Sequence, residues 1–222
     1  MSTNKVIIVG GGKGGVGKST VSVALLDMLK TEQRNVVYVE TDDSNPDVYK
    51  MVNGSVKSEV CNLDNEGGFL KLGGIIEANK DCCIVVNTAA RATEQIIEHG
   101  YMITETATEV GMEAVMLWPI NRQRDCLELL KSFVDKASGY KATHVIVNQY
   151  FGSADKFALY NGSKLKGQVE TIIFPELNDL VADKITTERI ALWENTKKFS
   201  IAERSVLSRY RTQATEALKV VL

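Results

Sequence analysis

The chain has 222 residues, of which 44% are apolar and 24% charged, so it is the size of one ordinary α/β domain with a substantial core and is not globally disordered. Lys and Arg total 26 against 28 Asp and Glu, a net charge of −2, which excludes a polycation that coats nucleic acid but leaves room for a local basic patch. No apolar run approaches the roughly 20 residues of a membrane-spanning helix, and the first residues lack a basic stretch, an apolar core and a small-residue cleavage site, so the expectation is a soluble, cytoplasmic protein.

In chain order, the first element is the apolar run Val6-Ile7-Ile8-Val9, a strand buried on both faces, followed by a glycine-rich turn and a helical stretch from Lys18 to about Leu29. Further strands are expected at Val36-Val37-Tyr38-Val39, Cys82-Cys83-Ile84-Val85-Val86, Ala114-Val115-Met116-Leu117, His144-Val145-Ile146-Val147 and Thr171-Ile172-Ile173-Phe174. Short strands of this kind alternating with helical stretches predict a mostly parallel, twisted α/β sheet covered by helices on both faces, in a single domain over 1–222. A helix is predicted over Arg122 to Lys136, with Cys126, Leu129, Leu130 and Phe133 at helical spacing. A terminal helix opens on the capping box Ser200-Ile201-Ala202-Glu203 and continues through Leu207, Tyr210, Ala214, Ala217 and Val221. Pro46 lies shortly after the second strand, and Pro119 and Pro175 directly follow two others; a residue without an N–H cannot continue a central strand, so each marks a strand's C-terminal exit. That is the edge of an open α/β sheet at which ligands bind. Cys61, Cys82, Cys83 and Cys126 have neither CxxC nor Cys/His metal spacing and read as small hydrophobes.

The most specific signal lies between the first strand and helix. Gly12-Lys13-Gly14-Gly15-Val16-Gly17-Lys18-Ser19 satisfies G-x-x-x-x-G-K-[ST], with Thr20 following. Glycines let backbone N–H groups curl around a phosphate, Lys18 is the cation for the β/γ oxygens, the Ser19 hydroxyl is a Mg²⁺ ligand, and the helix behind them points its positive end at the anion. A strand before and a helix after complete the context of a P-loop NTPase.

The string KGGVGKST, with its second lysine at Lys13, resembles the deviant phosphate loop of the ParA/MinD superfamily. The resemblance implies an ATP- and Mg²⁺-dependent fold in which Lys13 reaches across a nucleotide-sandwich homodimer to the partner's nucleotide. The plainer alternative is that Lys13 adds charge in cis or is solvated. Glu40-Thr41-Asp42-Asp43-Ser44-Asn45-Pro46 follows the second strand, where family members carry D-x-D. Asp42 is the candidate for positioning the attacking water or holding the metal's water shell, with Glu40 beside it. The alternative there is an acidic turn in which Asp43 or Ser44 caps a short helix. Ile84-Val85-Val86 leads to Asn87 where a Walker B segment has Asp. An amide brings no negative charge, so weaker Mg²⁺ binding and slow or absent turnover are expected unless Asp42 supplies the charge. Ala89-Ala90-Arg91 resembles the switch-II stretch that senses the γ-phosphate.

By the same resemblance Asn148, at the end of its strand, reads adenine through its amide, and Pro175 and Glu176 belong to the other loop beside the base. Asn148 reads equally well as a turn residue closing a strand. No N-K-x-D occurs, although Asp155 and Lys156 imitate part of it, so ATP is favoured over GTP. Within the superfamily the chain is similar to TraL-type proteins of plasmid conjugation and mobilisation. It shares their short length, the Glu40-Thr41-Asp42 turn, Asn148-Gln149-Tyr150-Phe151-Gly152, an aliphatic-Pro-x-Leu turn and a basic terminal helix. This implies an ATPase, with Lys13, Lys18 and Asp42 as catalytic groups, that serves plasmid transfer or partition. Lys197, Lys198, Arg204, Arg209 and Arg211, offset by Glu203, give segment 197–211 a net of four positive charges. That is a candidate contact for non-specific DNA, or simply a solvated helix face. The chain ends at Val220-Val221-Leu222 without the basic amphipathic extension of MinD-like proteins, so membrane binding is not expected. The competing readings are a nucleotide-binding module that acts through protein contacts without useful hydrolysis, and a ligase of the same superfold similar to dethiobiotin synthetase. Lys13 and the lack of an evident small-substrate constellation argue against the ligase.

Overall fold

Runs of Val and Ile that are buried on both faces can only be central strands of a sheet layered between helices. The computed structural model, which describes residues 4–194 and 196–222, has this arrangement. Strands β1 (Lys5–Val9), β2 (Val36–Glu40), β3 (Lys57–Val60), β4 (Cys83–Asn87), β5 (Glu113–Ile120), β6 (Ala142–Asn148) and β7 (Glu170–Phe174) form a sheet in the order β3-β2-β4-β1-β5-β6-β7. Every pairing is parallel. Side chains alternate across β1: Ile7 and Val9 enter one core with helices α1 (Lys18–Thr31), α2 (Asp47–Val52), α7 (Asp179–Glu188) and α8 (Ile201–Leu218). Val6 and Ile8 enter the other, with α3 (Glu66–Ala78), α4 (Thr93–Glu109), α5 (Arg124–Lys136) and the short α6 (Ala158–Asn161). The strand order turns back at β1, between β4 and β5, and this switch point opens a crevice at the strands' C-terminal ends.

Helix α1 is buried nearly all round, from Val21 to Leu29, because α8 lies over the side that the sheet does not cover. A polar group in that position has to be paired. The buried acid of this helix, Asp27, is held by a two-pronged contact from Arg211 of α8, with Nε and Nη2 each 2.7 Å from a carboxylate oxygen. The predicted capping box opens α8: the Ser200 hydroxyl accepts from the Glu203 N–H, and the Glu203 carboxylate accepts from the Ser200 N–H.

Several expectations need correction. Pro119 does not mark the exit from β5 but lies inside it, opposite Ile146. The pairing of β1 with β5 ends at Leu117, so the strand runs on past its neighbour and a missing N–H costs no ladder bond on that side. Asp43 and Ser44 do not cap α2, which begins at Asp47 with no side-chain cap; Asp43 is engaged by Arg91 and Asn62. The strand expected from Cys82 begins at Cys83. The edge strand β3 was not expected at all: Lys57-Ser58-Glu59-Val60 carries no apolar run, because only β2 flanks it. Among the described residues no helix is long and apolar enough to cross a membrane.

Candidate functional site

The loop between β1 and α1 supplies the base of a cleft of about 520 Å³, within the range of small-molecule sites. Gly17 caps α1 in the left-handed region, at φ 99°. A Cβ there would stand 2.3 Å from Asn148 Nδ2, so backbone conformation and space both demand glycine. At Gly14 and Gly15 nothing lies within 4 Å of where a Cβ would be. That empty rim faces the cleft, and with the exposed Ser19 and Thr20 at the first turn of α1 it forms a concave cradle of backbone amides and hydroxyls. Val16 is buried in the core, while Gly12 packs against Thr93 of α4 and does not line the cleft.

Lys18 is only 9% exposed, and its ammonium donates to the Lys13 carbonyl at 3.0 Å. Burial pushes its pKa down to about 8, against the opposing pull of Asp42, which marks a cation held ready for an anion that the loop itself does not provide. Lys13 turns the other way. Its ammonium meets Asp125, at the start of α5, at 2.5 Å, and this hydrogen bond raises its pKa. Lys13 does not line the cleft of its own chain.

Asp42 does line it. Its carboxylate accepts from Ser44 Oγ at 2.5 Å and from Arg91 Nη1 at 3.2 Å, and the Ser44 hydroxyl, then Arg91, hold its pKa below the usual carboxylate value. Arg91 also binds Asp43 at 3.0 Å and Asp64 at 2.9 Å. The segment after β4 is thereby tied to the loops after β2 and β3. Thr41 adds a buried link, its hydroxyl accepting from the Ala89 N–H at 2.9 Å.

Beneath Asp42, and nearly out of contact with solvent, lies Glu40. Its carboxylate accepts from Tyr38 Oη at 2.5 Å, from the N–H groups of Thr41 and Asp42 at 3.1 and 3.2 Å, and from Asn87 Nδ2 at 3.1 Å. Burial raises its pKa, against which these donors favour the charged form. Asn87 lines the cleft and also accepts from Ser22 Oγ through Oδ1 at 3.1 Å.

Asn148, the last residue of β6, donates from Nδ2 to the Val16 carbonyl at 3.0 Å and accepts from the Tyr150 N–H at 3.1 Å. The amide thus closes its strand as a turn residue and also fastens the phosphate loop. Pro175 and Leu177 line the far end of the cleft, and Glu176 lies outside its lining. Sequence reasoning missed the wall that α7 contributes, through Asp179, Ala182, Asp183 and Thr186, and it missed Asn45, Thr88 and Tyr150. Asn178 at the start of α7 caps the helix, accepting from the Leu180 N–H, and this cap was the one local signal that the helix begins just after the Pro175 turn.

The basic segment is less available than its charge suggests. Arg211 is committed to Asp27, Lys198 lies 3.5 Å from Glu188, and Arg204 donates to the Phe199 carbonyl at 2.8 Å.

Comparison with known proteins bears on this site. A family model named ParA, described as NUBPL iron-transfer P-loop NTPase, matches residues 2–105. Protein MobD of Acidithiobacillus ferrooxidans is 39% identical over 98% of this chain and 97% of its own length. Among solved structures, the septum site-determining protein MinD of Pyrococcus horikoshii OT3, complexed with Mg-ADP, aligns with 98% of this chain and 97% of that one at 18% identity and a TM-score of 0.56. A putative plasmid partition protein of Borrelia burgdorferi B31 bound to AMPPNP covers 94% of this chain and 99% of that one, at 16% identity and a TM-score of 0.56. With a full-length relative well above the level of chance likeness, and with the deviant phosphate loop on the strand and helix that such a loop requires, the chain belongs to the ParA/MinD family of P-loop NTPases.

Proposed function

We propose that this protein is an ATP-binding, slowly hydrolysing switch that dimerises around nucleotide and serves plasmid transfer or partition. The observation that carries the reading is the cradle at the start of α1: an open glycine rim, the hydroxyl of Ser19 and the buried ammonium of Lys18 converge on one cleft. The chemistry favours polyphosphate, because a cation with its pKa lowered by burial gains most from a multiply charged anion. The mobilisation and partition setting is supported by the TraL-type likeness and by the neighbours' names.

The residues present suit a hard divalent cation held jointly with phosphate oxygens. Ser19 and Asp42 offer oxygen donors on one cleft, and Mg²⁺ is bound in this way by one or two protein groups plus substrate phosphates. Bound there, the ion would supply neutralisation of the charge on the β- and γ-oxygens. Lys18 and the loop amides bind the phosphates, Asp42 orients water once Arg91 lets go of it, and Lys13 exchanges Asp125 for the partner's nucleotide. Asn148 and the Pro175–Glu176 turn flank the base. A second reading, nucleotide binding without useful turnover, is favoured by Asn87, which puts an amide where a metal-organising carboxylate is expected.

Size-exclusion chromatography with light scattering, run without nucleotide and with ADP, ATP or AMPPNP, tests the proposal when phosphate release is followed on the same samples. A dimer specific to ATP and AMPPNP, with slow phosphate release, supports it. A monomer in every state removes the trans role of Lys13, and a dimer without release selects the second reading. A gel shift with and without ATP then decides whether segment 197–211 contacts DNA.

A further inference from the structure

A second cavity, of about 240 Å³, adjoins the cleft and is walled in part by α2 and α8. Ser19, Thr20, Asn45, Leu177, Ala182 and Thr186 line both spaces. Beyond this shared border the walls are Val23 of α1, Val48 and Met51 of α2, Ile185 of α7 and Leu192, all apolar. Two polar side chains stand among them. Asp47 is engaged by Arg189 at 3.4 Å. Tyr210, which enters from α8, is 2% exposed, and its hydroxyl has no hydrogen-bond partner among the described residues.

Buried polar groups are as a rule paired, so a phenol left unpaired on a cavity wall says what the cavity takes. We infer that this cavity is a binding site for a small neutral molecule, about one ring in size, with an apolar body and one oxygen that accepts a hydrogen bond from Tyr210. The volume exceeds the roughly 150 Å³ that holds benzene in an apolar core, whereas an α-helix of a partner, about 10 Å across, does not enter it. A hydrocarbon occupant, including an aliphatic or phenyl side chain of a partner protein, would seal the hydroxyl away without a bond and incur its desolvation in full.

The charge of the ligand follows from its surroundings. Burial, and then the negative charge of Asp27, push the pKa of Tyr210 up, so the group is a neutral phenol. An anion would meet the same charge, together with Asp47 on the wall. A cation would lose its hydration against the apolar side chains, with Asp47 already paired to Arg189. A ketone or other neutral acceptor has neither handicap. Because Ala182 and Thr186 belong to both spaces, a molecule held here touches the helix that walls the cleft. The site does not depend on the nucleotide reading.

The test uses the full chain and its Tyr210→Phe variant, with a matched pair of probes: acetophenone, and 2-phenylpropene, in which a methylene takes the place of the carbonyl oxygen. Each is titrated into ¹⁵N-labelled protein, and affinity is read from the amide shifts. The parent is expected to bind acetophenone about five- to tenfold more tightly than 2-phenylpropene, the worth of one neutral hydrogen bond. The largest shifts are expected at Met51, Ile185, Leu192 and Tyr210. In Tyr210→Phe the two probes should bind alike to within about twofold. The variant's thermal midpoint without any probe should rise by about 2–4 °C, because the ring stays and the unpaired hydroxyl goes; a hydroxyl with a structural bond would give a fall instead. The inference is overturned if the parent binds neither probe at millimolar concentration or does not distinguish them. It is equally overturned by shifts centred on Asn148 and Pro175 in the cleft, by a variant that keeps the preference, or by a midpoint that fails to rise.

Discussion

Lys18 sits in a place that suits the nucleotide-loaded protein better than the free one, and the cost is measurable. Its pKa is lowered from 10.5 to about 8 by burial, so below pH 8 the folded, nucleotide-free chain carries a charge that the unfolded chain accommodates more easily. The sign follows from proton counting. Between pH 8 and 10.5 the unfolded state binds the extra proton and the folded state does not, so stability rises with pH across this window, and the penalty is complete below it. The gap corresponds to about 3.4 kcal/mol at pH 7 and about 1.4 kcal/mol at pH 9.5. Lys18→Met keeps the length of the side chain and removes the charge, and it gives up the bond to the Lys13 carbonyl, worth about 1 kcal/mol. The variant should therefore be more stable than the parent by about 2 kcal/mol at pH 7, a rise in midpoint of about 4–8 °C for a chain of this size. The gain should nearly vanish at pH 9.5. Circular dichroism melts without nucleotide, at both pH values, decide the matter. ATP should then raise the parent's midpoint and leave the variant's unchanged, because a ligand stabilises only a state that binds it. Equal midpoints at pH 7, or a gain that persists undiminished to pH 9.5, would refute the argument that burial of this ammonium opposes folding.

Gly17→Ala should cost about 2–4 kcal/mol, since it combines a positive φ with a Cβ 2.3 Å from Asn148 Nδ2 and breaks the bond to the Val16 carbonyl; chemical denaturation reads the loss, and a cost under about 0.5 kcal/mol would mean that the loop relaxes freely. Asp42→Ala should slow phosphate release by about 10²-fold or more while changing ATP affinity less than about fivefold, and undiminished release removes its catalytic role. Lys13→Ala should leave ATP binding by the monomer within a few-fold but abolish the ATP-dependent dimer in light scattering, whereas Asp125→Ala, which releases Lys13 from its own chain, should dimerise at lower concentration. Arg211→Ala leaves Asp27 buried and unpaired and should cost about 3–5 kcal/mol, while the exposed Arg209→Ala costs under about 0.5 kcal/mol. Any DNA affinity of segment 197–211 is therefore best probed at Arg209, through the slope of binding against salt.

What the sequence made legible follows from how strongly each feature is over-determined. The phosphate loop is readable because glycine, lysine and serine are each required there for a separate physical reason, and Gly17 shows two of those reasons at once. The central strands were readable because burial on both faces leaves only apolar residues, as in β1 and β4. Strand β3 was not, since an edge strand with solvent on one side has no such constraint. Pro119 misled because a rule about ladder bonds was applied without knowing that the pairing with β1 stops two residues earlier. Relations between distant segments were the least legible. Arg211 reads as a surface cation until Asp27, 184 residues away, is seen beside it, and Arg91 reads as a switch residue until it is found holding Asp42, Asp43 and Asp64 together.

Glu40 and Asn87 show the same thing at the centre of the site. Taken singly, Asn87 is a defect in a motif and Glu40 a conservative replacement in another. Only the register that sets them opposite each other makes them one hydrogen-bonded unit. A motif scanned along a single strand cannot detect a hydrogen bond that runs to the neighbouring strand. Yet the sheet places the two positions side by side, and because the Glu40 carboxylate takes the Asn87 N–H, the amide oxygen is left to face α1, where it accepts from Ser22.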